Sequence, residues 1–360
     1  MTIYFDRYYL NSRSASALLL KDRVKRDSVN DFRVFCTESV YKGTFEQEEF
    51  DSNVVTKYGL VPFTNVLNLY FGFICYMAVE GSKVSRIVSF SSPGTNLLIH
   101  GLFWWSKRVS YVVQDIFPEN AELIYPFSRK FKFLWRPLFN LAYRRLGQVE
   151  TISTDMREYL LTTYNVRALI RFNTNPYSST MTISREKTWA AKSKIYFGYS
   201  GNLGYSHGLH GPRKLLGSLA KLTDVEVFVR GFGVYFEKLQ SMPELKNVEF
   251  GGSMNAQEYE RFLNMLDVLL IFQEDGFEKV CLSCKFNTLI ELRKPLIYVG
   301  PESDISRYIL ATGIGIVMPN HLTVEEYIVI LNNFIKDFAN YFSAASTNSN
   351  QDLNEVLLMI

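Results

Sequence analysis

Short apolar runs bounded by turn residues alternate with longer amphipathic stretches along the whole chain, and that alternation predicts an α/β architecture. In the first half, Ile3–Phe5, Phe32–Thr37, Arg86–Phe90, Ser110–Gln114 and Val149–Ser153 read as strands, with helices around 13–25, 64–79, 95–107, 128–146 and 154–164. The same grammar restarts with strands at Ile195–Tyr199, Val225–Arg230, Val248–Gly251, Val268–Phe272, Pro295–Val299 and Gly315–Met318. Helices near 211–222, 255–265, 284–292, 303–312 and 322–341 separate them. Between the halves, Arg171–Thr180 is polar and interrupted by Pro176, as a linker is, which puts the boundary near 172–190. The expectation is two Rossmann-like domains, 1–172 and 190–342, facing across a cleft lined by the carboxyl ends of their strands. The polar stretch Ser343–Gln351 reads as a flexible connection within a tail, 343–360, that crosses back to the first domain.

Composition supports two cores rather than one: 360 residues, 47% hydrophobic, with only 21 Gly and 11 Pro, exclude a disordered, fibrous or single-module chain. Four cysteines, at 36, 75, 281 and 284, are too few and scattered for a disulfide framework and suit a reducing compartment, the cytoplasm. Met1–Asp6 lacks the pattern of a secretory signal and reads as a buried first strand. The longest apolar stretch, Val66–Val79, is interrupted by Asn68. It is shorter than the ~20 residues a bilayer crossing needs. Charge is uneven: residues 1–180 hold 22 Lys and Arg against 16 Asp and Glu, a net +6, while the remainder nets −3. A basic first half suits a protein facing a negative surface, and equally arises by ordinary sampling.

Four segments carry candidate chemistry. Tyr199–Gly208 follows the first strand of the second half and precedes a helix; its Gly201, Asn202, Gly204, His207 and Gly208 either cradle an anion or only reverse the chain. Gly231, at the end of the next strand, joins the candidates. Val112–Glu119 ends a strand in Gln114 and Asp115, where Asp115 either accepts a hydroxyl proton or caps the next turn, and Glu119 is a further candidate contact. Leu282–Pro295 is a helix with Lys285 in its first turn, an unfavourable place for a cation unless an anion shares it. Thr288 and Glu291 share its face. Cys281-x-x-Cys284 has no partner cluster, and the histidines at 100, 207, 210 and 321 lack metal spacing, so two buried thiols and no metal are expected. The fourth segment, Phe127–Leu146, interleaves aromatics with Arg129, Lys130, Lys132, Arg136, Arg144 and Arg145 and holds no acid. It reads either as a surface for an anionic membrane or as a core-packing helix with solvated charges.

In order and spacing these blocks resemble the GT-B glycosyltransferases of family four, in their bacterial surface-polysaccharide branch. The resemblance rests on Ile87–Pro93, Asp115–Asn120 and Thr151–Arg157, then Asn173–Pro176, Tyr199–Gly204, Leu266–Leu270 and Cys284–Pro295. It implies a second domain that binds a nucleotide sugar, a UDP-sugar foremost, and a first domain that binds a saccharide acceptor on a polyprenyl diphosphate. It further implies retention of anomeric configuration, no metal or other cofactor, and action at the inner face of the cell membrane. No nucleic acid is implicated.

Under the resemblance, Asn202 and His207 fall where many members carry Arg and Lys on the donor phosphates, Lys285 matches the lysine of the late signature, and Asp115 matches the first-domain aspartate. Three positions depart from it: Thr288 and Val280 stand where the family keeps a pair of glutamates, and Gln114 replaces a histidine. Those departures keep two other readings open, a non-catalytic nucleotide-sugar-binding subunit of the same machinery and an epimerase of the same fold.

Overall fold

The computed structural model describes residues 1–5, 20, 23, 24, 27, 32–36, 54–56, 65–91, 94–171, 193–283 and 285–347. The chain divides into two compact units, Met1–Pro176 with Val280–Leu282, and Tyr177–Lys279 with Ser283–Ile360. The short return segment belongs to the first unit through backbone: the Ile116 N–H donates to the Val280 carbonyl at 2.8 Å, and Asp115 and Cys281 form an isolated antiparallel bridge. Linker residues 172–190 and tail residues 348–360 lie outside the described residues.

The first unit is built on a seven-stranded sheet. Its strands are β1 (Thr2–Phe5), β2 (Phe32–Cys36), β3 (Val54–Thr56), β4 (Arg86–Phe90), β5 (Val109–Val113), β6 (Gln148–Thr151) and β7 (Leu169–Ile170). Their order is β3-β2-β1-β4-β5-β6-β7, and every pair is parallel. The second unit carries six: β8 (Ile195–Asn202), β9 (Val225–Phe232), β10 (Val248–Gly251), β11 (Val268–Phe272), β12 (Leu296–Val299) and β13 (Gly315–Met318). They run β10-β9-β8-β11-β12-β13, again all parallel. A parallel sheet covered on both faces reads as uninterrupted apolar runs. Accordingly all five residues of β11 and all four of β12 are buried. In each sheet the winding reverses beside the central strand, between β1 and β4 and between β8 and β11, and such a switch point is where open α/β sheets bind ligands.

Local rules place the helices. Ser153 caps Thr154–Tyr164, and Asn165 closes it in the left-handed conformation. Asn255, Ser303 and Thr323 open Ala256–Met265, Asp304–Thr312 and Val324–Lys336 with capping boxes. Four predicted spans differ from the structure. The helix expected at 95–107 stops at Gly101, where a Cβ would come within 2.6 Å of the Ala142 backbone, and a 3-10 turn at Ser106–Arg108 leads into β5. The helix expected at 128–146 is a 3-10 turn, Pro126–Phe131, followed by an α-helix, Lys132–Arg145, that carries Pro137 inside it. The helix expected at 322–341 is two, separated at Asp337. The second, Phe338–Thr347, includes the first part of the stretch expected to be flexible, because Phe338 and Ala345 bury there and Thr347 Oγ1 donates back to the Ser343 carbonyl at 3.0 Å. Among the described residues no helix is long and apolar enough to cross a membrane.

Candidate functional site

In the second unit the carboxyl ends of β8 and β11, the two strands at its switch point, hold most of the residues singled out from sequence. β8 runs farther than its predicted end at Tyr199: it pairs with β9 through Gly201↔Gly231 and Asn202↔Phe232. Gly201 and Asn202 therefore lie on the strand end rather than in a turn. This extension requires glycine twice. Gly231 sits at φ 146°, and a Cβ there would overlap the Gly201 carbonyl, so its absent side chain serves the approach of the two strands. Gly201 sits at φ 139°, and a Cβ there would overlap the Lys285 ammonium.

Lys285 opens the helix Lys285–Glu291 and reaches back to β8. Its Nζ donates to the Ser200 carbonyl at 2.6 Å and lies 4.9 Å from the centroid of the Tyr199 ring. A carbonyl oxygen and a ring face both favour the charged form of the ammonium. On the same helix Thr288 is buried and Glu291 half-buried, so of the three residues sharing that face Thr288 packs into the protein.

Asn202 is exposed, with its Oδ1 over Gly233. Beyond Gly204 a 3-10 turn, Tyr205–His207, leads to Gly208 at φ 68° and then to the helix His210–Leu219. His207 lies 3.3 Å through Nδ1 from Ser206 Oγ. Burial and the nearby Lys285 charge lower its pKa to about 3. At neutral pH it is an uncharged hydrogen-bonding group, so the positive charge at this turn comes from Lys285.

One residue here escaped the sequence reading. Glu274 is the second residue beyond β11, its N–H donates to the Ser206 carbonyl at 2.9 Å, and its Oε2 occupies the space a Cβ on Gly208 would take. The signal was available: Gln273-Glu274-Asp275-Gly276 is a polar break after an all-apolar strand, at the sheet edge where ligands bind.

The first unit holds the other candidates. Ser91 Oγ accepts from the N–H groups of Gln114 and Asp115 at 2.9 and 3.1 Å, which fixes the chain where it leaves β5. Asn120 Nδ2 donates to Asp115 Oδ1 at 3.1 Å. Burial raises the Asp115 pKa to about 6 against the opposing pull of that hydrogen bond. Glu119 is buried, and its Oε1 accepts from Tyr164 and Tyr159 at 2.6 and 3.3 Å, so one of its oxygens is committed to the fold. Its Oε2 and the Gln114 Nε2 are buried without a hydrogen-bond partner among the described residues. Cys281 is buried; Cys284 lies outside the described residues.

The segment 127–146 divides between two faces. Phe139, Ala142 and Tyr143 pack inward, while Phe127, Phe131, Phe133, Leu134, Leu138 and Leu141 are 44% to 71% exposed. Arg129, Lys130, Arg136 and Arg144 are exposed beside them, whereas Lys132 pairs with Glu122 at 3.5 Å. One face of the segment thus packs into the protein, and the other is exposed, apolar and basic.

No family model and no curated protein matches the chain in sequence. Solved structures match along its length. WaaG, a glycosyltransferase involved in lipopolysaccharide biosynthesis, is similar with a TM-score of 0.70 at 14% identity, over 100% of this chain and 98% of its own. Anabaena HepE in complex with UDP and glucose is similar with a TM-score of 0.69 at 15% identity, over 99% and 97%. Sucrose-phosphate synthase from Thermosynechococcus elongatus is similar with a TM-score of 0.71 at 10% identity, over 99% and 94%. At such identities the likeness is one of fold: two Rossmann-like units as in the GT-B glycosyltransferases.

Proposed function

We propose that the chain is a glycosyltransferase that moves a sugar from a nucleoside diphosphate, UDP foremost, to a saccharide carried on a polyprenyl diphosphate, during assembly of a bacterial polysaccharide. The observation that carries this reading is Lys285, whose ammonium is held over Gly201 at the β8 end of the switch point. A fixed cation there opposes the charge that grows on the leaving diphosphate as the glycosidic bond breaks, so it stabilises the transition state more than the ground state. The neutral His207 and the exposed Asn202 add hydrogen-bonding groups to the same oxygens. HepE, solved with UDP and glucose, supports a nucleotide-sugar donor on this fold.

Asp115 is assigned to the acceptor in the first unit. With a pKa near 6 it is mostly ionised at neutral pH yet basic enough to take a hydroxyl proton. Anomeric retention without a metal follows the resemblance, with Lys285 supplying the positive charge. The exposed apolar and basic face of 127–146 supports a peripheral place on the inner, anionic face of the cell membrane, where such an acceptor resides. A second reading, a nucleotide-sugar-binding subunit without catalysis, is favoured by one observation: Thr288 and Val280 are buried, and neither offers a carboxylate.

Calorimetric titration with UDP and UDP-glucose, followed by turnover with the sugar nucleotide, tests both readings. The wild type is expected to bind, and Lys285→Ala to weaken binding about ten- to hundredfold, as loss of a charge-assisted contact does, with an unchanged melting temperature. Equal affinity in the variant overturns the role of Lys285. Binding without any hydrolysis or transfer favours the non-catalytic reading.

A further inference from the structure

The two oxygens of the Asp115 carboxylate are treated differently by the fold. Oδ1 accepts from Asn120 Nδ2 at 3.1 Å, while Oδ2 has no hydrogen-bond partner among the described residues, and the residue is half-buried. The backbone beneath is held without help from Asn120. Ser91 Oγ accepts from the Asp115 N–H, an isolated bridge pairs Asp115 with Cys281, and the Ile116 N–H donates to the Val280 carbonyl. Those contacts leave the carboxylate free to rotate, and the bond from Asn120 stops it. Asn120 is itself seated by its backbone, since its N–H donates to the Ile116 carbonyl at 2.9 Å in the first turn of the helix Glu119–Ile124.

The amide of Asn120 serves the carboxylate and little else. Its Oδ1 is buried with no hydrogen-bond partner among the described residues, an arrangement that lowers stability. Turned over, the amide would set oxygen against oxygen, so the carboxylate determines which way it points. A leucine of similar size would fill the space and leave no side-chain polar atom unsatisfied. The bond to Asp115 is what an asparagine supplies here and an apolar side chain does not. It also favours the charged form of Asp115, against burial, and no cation pairs with that carboxylate among the described residues. The titratable neighbours are Tyr111 on the same strand and Cys281 across the bridge; Glu119, on the helix of Asn120, accepts from Tyr159 and Tyr164 instead.

We infer that Asn120 is a positioning residue, which ties down one oxygen of Asp115 so that the other meets the attacking hydroxyl. This rests on the role given to Asp115 above. In that step the hydroxyl oxygen bonds to the anomeric carbon, the diphosphate leaves with the electrons of the broken bond, and the proton passes to Asp115 Oδ2.

Asn120→Leu and Asn120→Asp test the inference through two readouts. In carbon-13 titration of the Asp115 carboxyl, the wild-type midpoint is expected at about 6. It should rise by about one unit in Asn120→Leu, as loss of a hydrogen bond to the charged form does, and further in Asn120→Asp, where two carboxylates share the place. In hydrolysis of UDP-glucose, with water standing in for the acceptor, the acid limb of kcat should move up with that midpoint. Above the limb, kcat should fall about ten- to hundredfold through lost orientation, with KM for UDP-glucose unchanged. Asn120→Leu should melt at or above the wild-type temperature, which separates positioning from a structural role. A midpoint unmoved in both variants overturns the inference, as does a moved midpoint with wild-type kcat and acid limb. Asp115→Asn with wild-type turnover removes Asp115 from the step, and the inference with it. A wild type that does not bind UDP-glucose overturns the nucleotide-sugar reading instead, and the carboxyl midpoint still decides whether Asn120 holds Asp115.

Discussion

Single residues in this protein are explained by what sits over them. Gly201 is a glycine because an ammonium occupies the space of its side chain, Gly231 because a carbonyl does, and Gly208 because a carboxylate does. His100 is the reverse case: it is fully buried against Phe5 and Phe73, and neither ring nitrogen has a hydrogen-bond partner among the described residues. Burial lowers its pKa from 6.5 to about 3. The folded state thus refuses a proton that the unfolded state accepts, so this residue's contribution is intact above pH 6.5 and is lost progressively as pH falls toward 3. His100→Phe is expected to flatten the acid side of the stability profile and to raise stability by about 1–3 kcal/mol, through removal of unsatisfied polar atoms. Denaturant midpoints measured from pH 4 to 8 test this, and a variant with the acid sensitivity of the wild type would refute it. Lys285 could be read from the chain because a cation at a helix start is locally anomalous. Glu274 could not, since its meaning depends on Gly208, 66 positions away in sequence.

At the scale of elements, the basic aromatic segment shows why one stretch of sequence supported two readings. The 3-10 turn Pro126–Phe131 and the helix Lys132–Arg145 bury Phe139, Ala142 and Tyr143 and leave an apolar and basic surface on the other side. Periodicity gives both faces equally and does not say which one is covered. Pro137 is exposed within the helix, where its missing N–H is tolerated on the solvent side. Reversal of Arg129, Lys130 and Arg136 to Glu is expected to abolish sedimentation with anionic vesicles while preserving the fold, since Lys132, which pairs with Glu122, is left in place. Neutral vesicles should retain neither form. Undiminished sedimentation of the triple variant would remove the membrane reading.

Over the whole molecule, two parallel sheets repeat one plan with different strand numbers, and each places its switch point beside its central strand. A nucleotide held by the second unit should slow amide exchange in peptides covering 199–208 and 285–291 and leave strands β4–β6 of the first unit unchanged. Hydrogen exchange with and without UDP tests that assignment. Protection concentrated in the first unit would move the donor site there.

The alternation of apolar runs determined the α/β class, most strands and the restart of the pattern near 195, because a buried parallel strand must be apolar whatever it packs against. The short strands Val54–Thr56 and Leu169–Ile170 were illegible for the opposite reason: with three and two residues they carry no periodicity of their own. Sequence also yielded Asp115 and Lys285, each at the carboxyl end of a strand or the start of a helix, where position alone suggests chemistry. Only the tertiary structure decided which groups share a place. It seated Lys285 on Ser200, turned Thr288 inward, tied Glu119 to two tyrosines, made His207 neutral and brought Glu274 over Gly208. Those outcomes depend on distances between residues far apart in the chain, and hydrophobic patterning, being local, does not encode them.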